Sequence, residues 1–225
     1  MDEKLLMATG QGDITKVQRL LAKGANPNVR DEYGYTPLIL AASEGRVELL
    51  MELLRNGADP NARTQSKWTA LLWACSMGHC ECARILISNG AHLEARDLYG
   101  ATSLMKASRR GHLELVQLLL AHNADPNQRD DYGWTPLMRA SRRGYVELIR
   151  ELLGHGADTE ARDQYGATAL IVATSEQRVE AVRALLEAGA NVNSRDRNGW
   201  SALMWAASMG HTPLVKLLES YGGRR

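Results

Sequence analysis

The stretch DEYGYTPLILAASEGRVELLMELLRNGADPNAR, residues 31–63, decides how the rest of the chain is read. Shifted by 33 residues it falls, without a gap, on segments beginning at Thr64, Asp97, Asp130, Asp163 and Asp196. A fixed period of this length with no insertions is the strongest signal in the chain and marks a repeat architecture.

Within the unit the local chemistry is ordered. Tyr33-Gly34, Tyr99-Gly100, Tyr132-Gly133, Tyr165-Gly166 and Asn198-Gly199 place glycine where a turn needs positive φ. Thr36, Thr69, Thr102, Thr135, Thr168 and Ser201 follow as N-caps, and Pro37 and Pro136 take the first helical position, where a missing N–H costs nothing. A two-turn helix runs from each cap to near Gly45, Gly78, Gly111, Gly144 and Gly210. A second helix, such as VELLMELLRNG, carries leucines at helical spacing and stops at Gly-Ala-Asp or a variant of it.

Working outward, residues 1–30 keep both helices without the preceding turn, as an N-terminal cap would. The last unit, 196–225, shortens after its second helix, as a C-terminal cap would. Between them lie 31–63, 64–96, 97–129, 130–162 and 163–195, so the chain is expected to be one domain, 1–225, of seven units.

Composition agrees with a helical, well-packed chain: 44% of the 225 residues are apolar, and phenylalanine is absent while leucine and alanine abound. A net charge of +1 excludes a globally basic nucleic-acid tail or an acidic disordered chain. Three cysteines, Cys75, Cys80 and Cys82, are too few and too clustered for a disulfide framework and favour a reducing compartment. With no signal peptide and no long apolar run, the expectation is an intracellular protein, cytoplasmic or alternatively nuclear, off the membrane and monomeric.

The recurring pattern DxxGxTPLxxAAxxGHxExVxxLLxxGADxNxR resembles that of the ankyrin-repeat family over essentially the whole length. The resemblance implies an all-α solenoid of stacked helix-turn-helix units with β-turn or hairpin tips. It also implies a non-catalytic binding scaffold, in which turn tips and first helices line a concave groove. One column departs from the family: the histidine usual after Thr-Pro-Leu is Ile39, Leu72, Met105, Met138, Ile171 and Met204 here. Apolar packing between repeats is expected to replace its hydrogen bonds.

The resemblance implies that positions ten, thirteen and fourteen, counted from the turn residue, lie on the groove side of the first helix; their spacing puts them on one helical face. They are Lys106, Arg109 and Arg110 in the fourth unit and Arg139, Arg142 and Arg143 in the fifth. With stacked helices roughly 8–10 Å apart, six cations are expected to form one patch at the groove centre. Without them the remaining chain would carry −5, so the charge is segregated. Tip positions three and five hold Tyr33, Tyr35, Trp68, Tyr99, Tyr132, Trp134, Tyr165 and Trp200, and position ten adds Trp73 and Trp205. These columns contain all five tryptophans and five of the seven tyrosines, residue types that anchor interfaces.

Other chemistry is sparse. His79-Cys80-Glu81-Cys82 lacks the second ligand pair of a zinc site, its cysteines occupy columns that elsewhere hold Val, Leu or Ala, and no catalytic motif is present. Neither a cofactor, a metal nor an enzymatic activity is expected. Three functions remain. An acidic or phosphorylated protein segment could be held by the cations while the rings contact its apolar side chains. Alternatively the groove takes a nucleotide, oligonucleotide or other polyanion, with bases stacked on Trp73, Trp134 or Tyr99. In the third reading the rings are inter-repeat packing and the array is a spacer.

Overall fold

The computed structural model of the chain describes residues 1–224. Among them are fourteen helices: α1 (Asp2–Gln11), α2 (Ile14–Ala22), α3 (Pro37–Ser43), α4 (Val47–Arg55), α5 (Ala70–Met77), α6 (Cys80–Ser88), α7 (Ser103–Arg110), α8 (Leu113–Ala121), α9 (Pro136–Arg143), α10 (Val146–Gly154), α11 (Ala169–Ser175), α12 (Val179–Glu187), α13 (Ala202–Ser208) and α14 (Thr212–Ser220). The described residues contain no extended strand, only an isolated antiparallel bridge between Arg195 and Ser201. The all-α expectation therefore holds. The chain falls into two compact units, Met1–Lys106 and Ala107–Arg225.

In the first unit the odd-numbered helices stack on one another, α1 on α3 and α3 on α5, while α2, α4 and α6 form a second layer. The second unit repeats this arrangement, with α9, α11 and α13 in one layer and α8, α10, α12 and α14 in the other. The layers follow from the sequence. In α4, Leu49, Leu50 and Leu53 are buried while Glu48 and Arg55 face solvent, and each fully buried leucine contributes about 1.5–3 kcal/mol. The first helices are apolar on more of their circumference because they have neighbours on two sides; Leu38, Ile39, Ala41 and Ala42 of α3 are all buried.

The expected caps form. The hydroxyls of Thr36, Thr69, Thr135 and Ser201 accept the N–H three residues on at 3.2–3.3 Å. The column that replaces the family histidine packs as apolar core: Ile39, Leu72, Met105, Met138 and Ile171 are buried, and Met204 is half-buried.

Within each compact unit polar side chains also tie successive repeats together. Within the first unit Asn28 and Asn61 donate to the carbonyls of Gly57 and Gly90, both at 2.9 Å. Within the second, Asn127 donates to Gly156 at 3.0 Å and Asn193 to Gly222 at 3.2 Å. Backbone bonds join successive tips, as from Gln65 N to Tyr33 O and from Gln164 N to Tyr132 O, each 2.9 Å. These bonds fix the tips on which the candidate site is built.

Candidate functional site

Each full turn is organised by its first residue. Asp97 Oδ1 accepts the N–H groups of Tyr99 and Ala101 at 2.9 Å, and Asp130 Oδ1 accepts those of Tyr132 and Trp134 at the same distance. Asp196 does likewise for Asn198 at 2.8 Å and Trp200 at 3.0 Å. The second carboxylate oxygen, Oδ2, then points toward the tenth residue of the same repeat. Lys106 Nζ donates to Asp97, Arg139 Nη2 to Asp130, and Trp205 Nε1 to Asp196 at 3.0 Å.

This geometry sorts the six cations by depth. Lys106 is 7% exposed and Arg139 half-buried, each ion-paired to an aspartate whose side chain is 1% exposed. Each cation also lies over an indole, Lys106 Nζ 4.3 Å from the Trp68 ring centre and Arg139 Cζ 4.8 Å from that of Trp134. Burial pushes the Asp97 carboxyl up, but the hydrogen bond from Lys106, the Ala101 and Tyr99 N–H groups and the lysine charge outweigh it and hold the group below its ordinary range. Lys106 and Arg139 thus brace the turns from inside. Spacing along the helix does not identify these partners, although the nine-residue offset from aspartate to donor recurs in the sequence.

Arg109, Arg110, Arg142 and Arg143, in the last turns of α7 and α9, are exposed. Arg142 Nε meets Glu176 Oε1 at 2.9 Å with both side chains partly open to solvent, and its guanidinium lies 5.7 Å from the Trp134 ring centre. Among the described residues no carboxylate lies within ion-pair distance of Arg110 or Arg143.

The aromatic columns separate into two groups. Tyr33, Tyr99, Tyr132 and Tyr165 stand exposed at the tips, and Trp200 is 38% exposed. Positions five and ten instead pack on each other, with ring centres 4.4 Å apart for Trp68 and Trp73, 6.2 Å for Tyr35 and Trp73, and 5.0 Å for Trp200 and Trp205. Tyr35, Trp68, Trp73, Trp134 and Trp205 are accordingly half-buried.

The third repeat is irregular. Its first residue is Thr64, whose hydroxyl accepts the Trp68 N–H at 3.0 Å as an aspartate would. Threonine has no second acceptor at the place of Oδ2, and the buried Trp73 Nε1 has no hydrogen-bond partner.

Elsewhere, a ring nitrogen of His79 lies 3.2 Å from the Ser43 carbonyl, and burial pushes the Cys82 thiol up to about 11. Among the described residues no group of three or more His, Cys, Asp or Glu is placed to hold a metal ion, and no helix is long and apolar enough to cross a membrane.

Two-helix repeats of 33 residues, capped by threonine and tied by aspartate-centred turns, define a class, and the chain belongs to the ankyrin-repeat family. A family profile for ankyrin repeats (3 copies) matches residues 5–97, 96–163 and 147–224. Among solved structures, the chain is similar to the ankyrin repeat domain of Bcl-3, a unique member of the IkappaB protein family. The identity is 30% and the TM-score 0.84, with 96% of this chain and 97% of that one covered. It is similar also to the human ASB11 ankyrin repeat domain, with 30% identity, a TM-score of 0.87 and 98% of each chain covered. No curated protein matches the chain by sequence. Ankyrin repeats are in general protein-interaction modules.

Proposed function

We propose that this protein is a non-catalytic interaction module that binds an acidic or phosphorylated segment of a partner protein through the arginines ending α7 and α9. The observation that carries the reading is the exposure of Arg110 and Arg143 at equivalent positions of consecutive repeats, with no carboxylate paired to either among the described residues. Like charges held on short helices favour an anionic ligand, and the guanidinium fork suits carboxylate and phosphate oxygens. Arg109 and Arg142 extend the cationic surface. Tyr132, Tyr165 and Trp200 supply exposed ring area for the apolar side chains of the segment. Arg139, Trp134 and Trp205 position these groups by bracing the turns beneath them. In the first unit Lys106, over Trp68, braces the Asp97 turn in the same way, while Trp73 packs on Trp68 without a turn carboxylate to bond.

The ligand class is tested by titrating the full chain with a glutamate-rich peptide, its phosphoserine counterpart, an uncharged control peptide and a short single-stranded RNA at two salt concentrations. The expected result is saturable binding of the two acidic peptides, weaker at high salt, with the uncharged control inert. Tighter binding of RNA, with log K falling linearly in log salt in proportion to the phosphates neutralised, would replace the peptide with a polyanion. Absence of binding to every anion would refute both readings.

A further inference from the structure

We propose that the second unit contains a receptor pocket for a lysine side chain of a partner protein, centred on Asp163. Asp163 opens the sixth repeat, and its Oδ1 accepts the N–H groups of Tyr165 at 2.8 Å and Ala167 at 2.9 Å, as its counterparts do. In the fourth, fifth and seventh repeats the other oxygen is taken by Lys106, Arg139 or Trp205. In the sixth the tenth residue is Val172, which is buried and cannot donate. Asp163 Oδ2 is therefore left without a donor among the described residues, although Asp163 is only 5% exposed. The second repeat also lacks a tenth-position donor, having Leu40, but its Asp31 is exposed and open to solvent.

Asp163 lines a cleft of about 400 Å³ walled by Trp134, Tyr165 and Trp205, with Val172 also in its lining. The charge there is negative: Asp163, Asp196 and Glu176 face a single cation, Arg142, which is already paired to Glu176. The Asp163 side chain is largely enclosed, one of its oxygens has no protein donor among the described residues, and a cation delivered through the cleft would supply one.

The chain carries its own template for the occupant. Lys106 meets the turn aspartate of its own repeat, Asp97, and the fifth-position indole of the preceding repeat, Trp68. The same two positions relative to Val172 are Asp163 and Trp134, and both line the cleft. A partner's lysine inserted there would meet the groups that Lys106 meets within the chain, its methylenes against the rings and its ammonium on Oδ2. Ammonium fits better than guanidinium. Asp163 Oδ1 is occupied by two N–H groups, which leaves no pair of free oxygens for a bidentate fork, and Arg139 and Arg142 already crowd Trp134 at 4.8 and 5.7 Å.

This pocket shares Arg142, Tyr165, Trp134 and Trp205 with the anion-binding surface but selects the opposite charge, and neither Arg110 nor Arg143 lines it. The test is an NMR titration of the full chain with Nα-acetyl-lysine methylamide, following the indole N–H resonances of Trp134 and Trp205, beside the Nε-acetylated analogue that lacks the charge. The expected result is a saturable shift with the charged probe and none with the analogue. Asp163→Asn, which keeps the Oδ1 acceptor, should weaken binding about tenfold or more. Val172→Lys should fill the pocket from within and abolish binding while leaving the folding midpoint at or above that of the wild type. Equal response to the neutral analogue, no saturable shift in the wild type, or undiminished binding in either variant would overturn the proposal.

Discussion

The pairing of a turn oxygen with a tenth-position donor accounts for residues that otherwise look unrelated, since Lys106, Arg139 and Trp205 all serve the same kind of carboxylate. It also identifies a fault. Trp73 Nε1 is buried without an acceptor because Thr64 stands where aspartate stands in the next four repeats, and an unsatisfied buried donor costs about 1–3 kcal/mol. Thr64→Asp is expected to retain the turn, supply the acceptor in the manner of Asp196 and stabilise the protein by about 1 kcal/mol, raising Tm by about 2–4 °C. Thermal unfolding followed by circular dichroism checks this; an unchanged or lower Tm would contradict it. At this scale the sequence is partly legible. The 3.6-residue period places positions ten, thirteen and fourteen on one face of a helix, but it does not say that a turn carboxylate lies under the first of the three. The charge of the side chain misleads as well: a cation reads as solvent-facing until its buried partner is found.

At the scale of the element, helix starts are legible because capping is local chemistry: one hydroxyl and one N–H three residues apart suffice. Helix ends are less so. The glycines after the first helices adopt positive φ, as at Gly78 (88°) and Gly144 (77°), but the sixth repeat has Gln177 there, at φ 58°. Lys67 and Asn123 replace turn and loop glycines in the same way, at 61° and 63°. Stacked neighbours hold the backbone in the repeat geometry, so a residue with a side chain accepts the left-handed conformation at a cost of about 1–2 kcal/mol. Gln177 is exposed, and its side-chain amide reaches only the Met209 sulfur, at 4.0 Å. Gln177→Gly is therefore expected to raise stability by about 1 kcal/mol despite the greater entropy of glycine in the unfolded chain. Urea unfolding with an unchanged m-value and a higher midpoint would bear this out; a lower midpoint would show that the turn after α11 is unstrained.

For the molecule as a whole, 27 basic and 26 acidic side chains nearly cancel, so any preference for a charged ligand must come from where the charges are placed. The structure sorts the six cations of the ASRRG-containing helices by depth. Lys106 and Arg139 are neutralised inside the fold by Asp97 and Asp130, while Arg110 and Arg143 remain at the surface. The most direct test of the account separates these two groups by measuring, on the same samples, affinity for a phosphoserine-containing acidic peptide by isothermal titration and stability by thermal unfolding. Arg110→Glu/Arg143→Glu is predicted to lose affinity by about tenfold or more with little change in Tm. Lys106→Met and Arg139→Met, made singly, are predicted to lose about 3 kcal/mol or more of stability by leaving a buried carboxylate unpaired, and to keep the affinity of the fraction that remains folded. The converse, with affinity residing in Lys106 and Arg139 while Arg110 and Arg143 can be reversed without effect, would contradict the account.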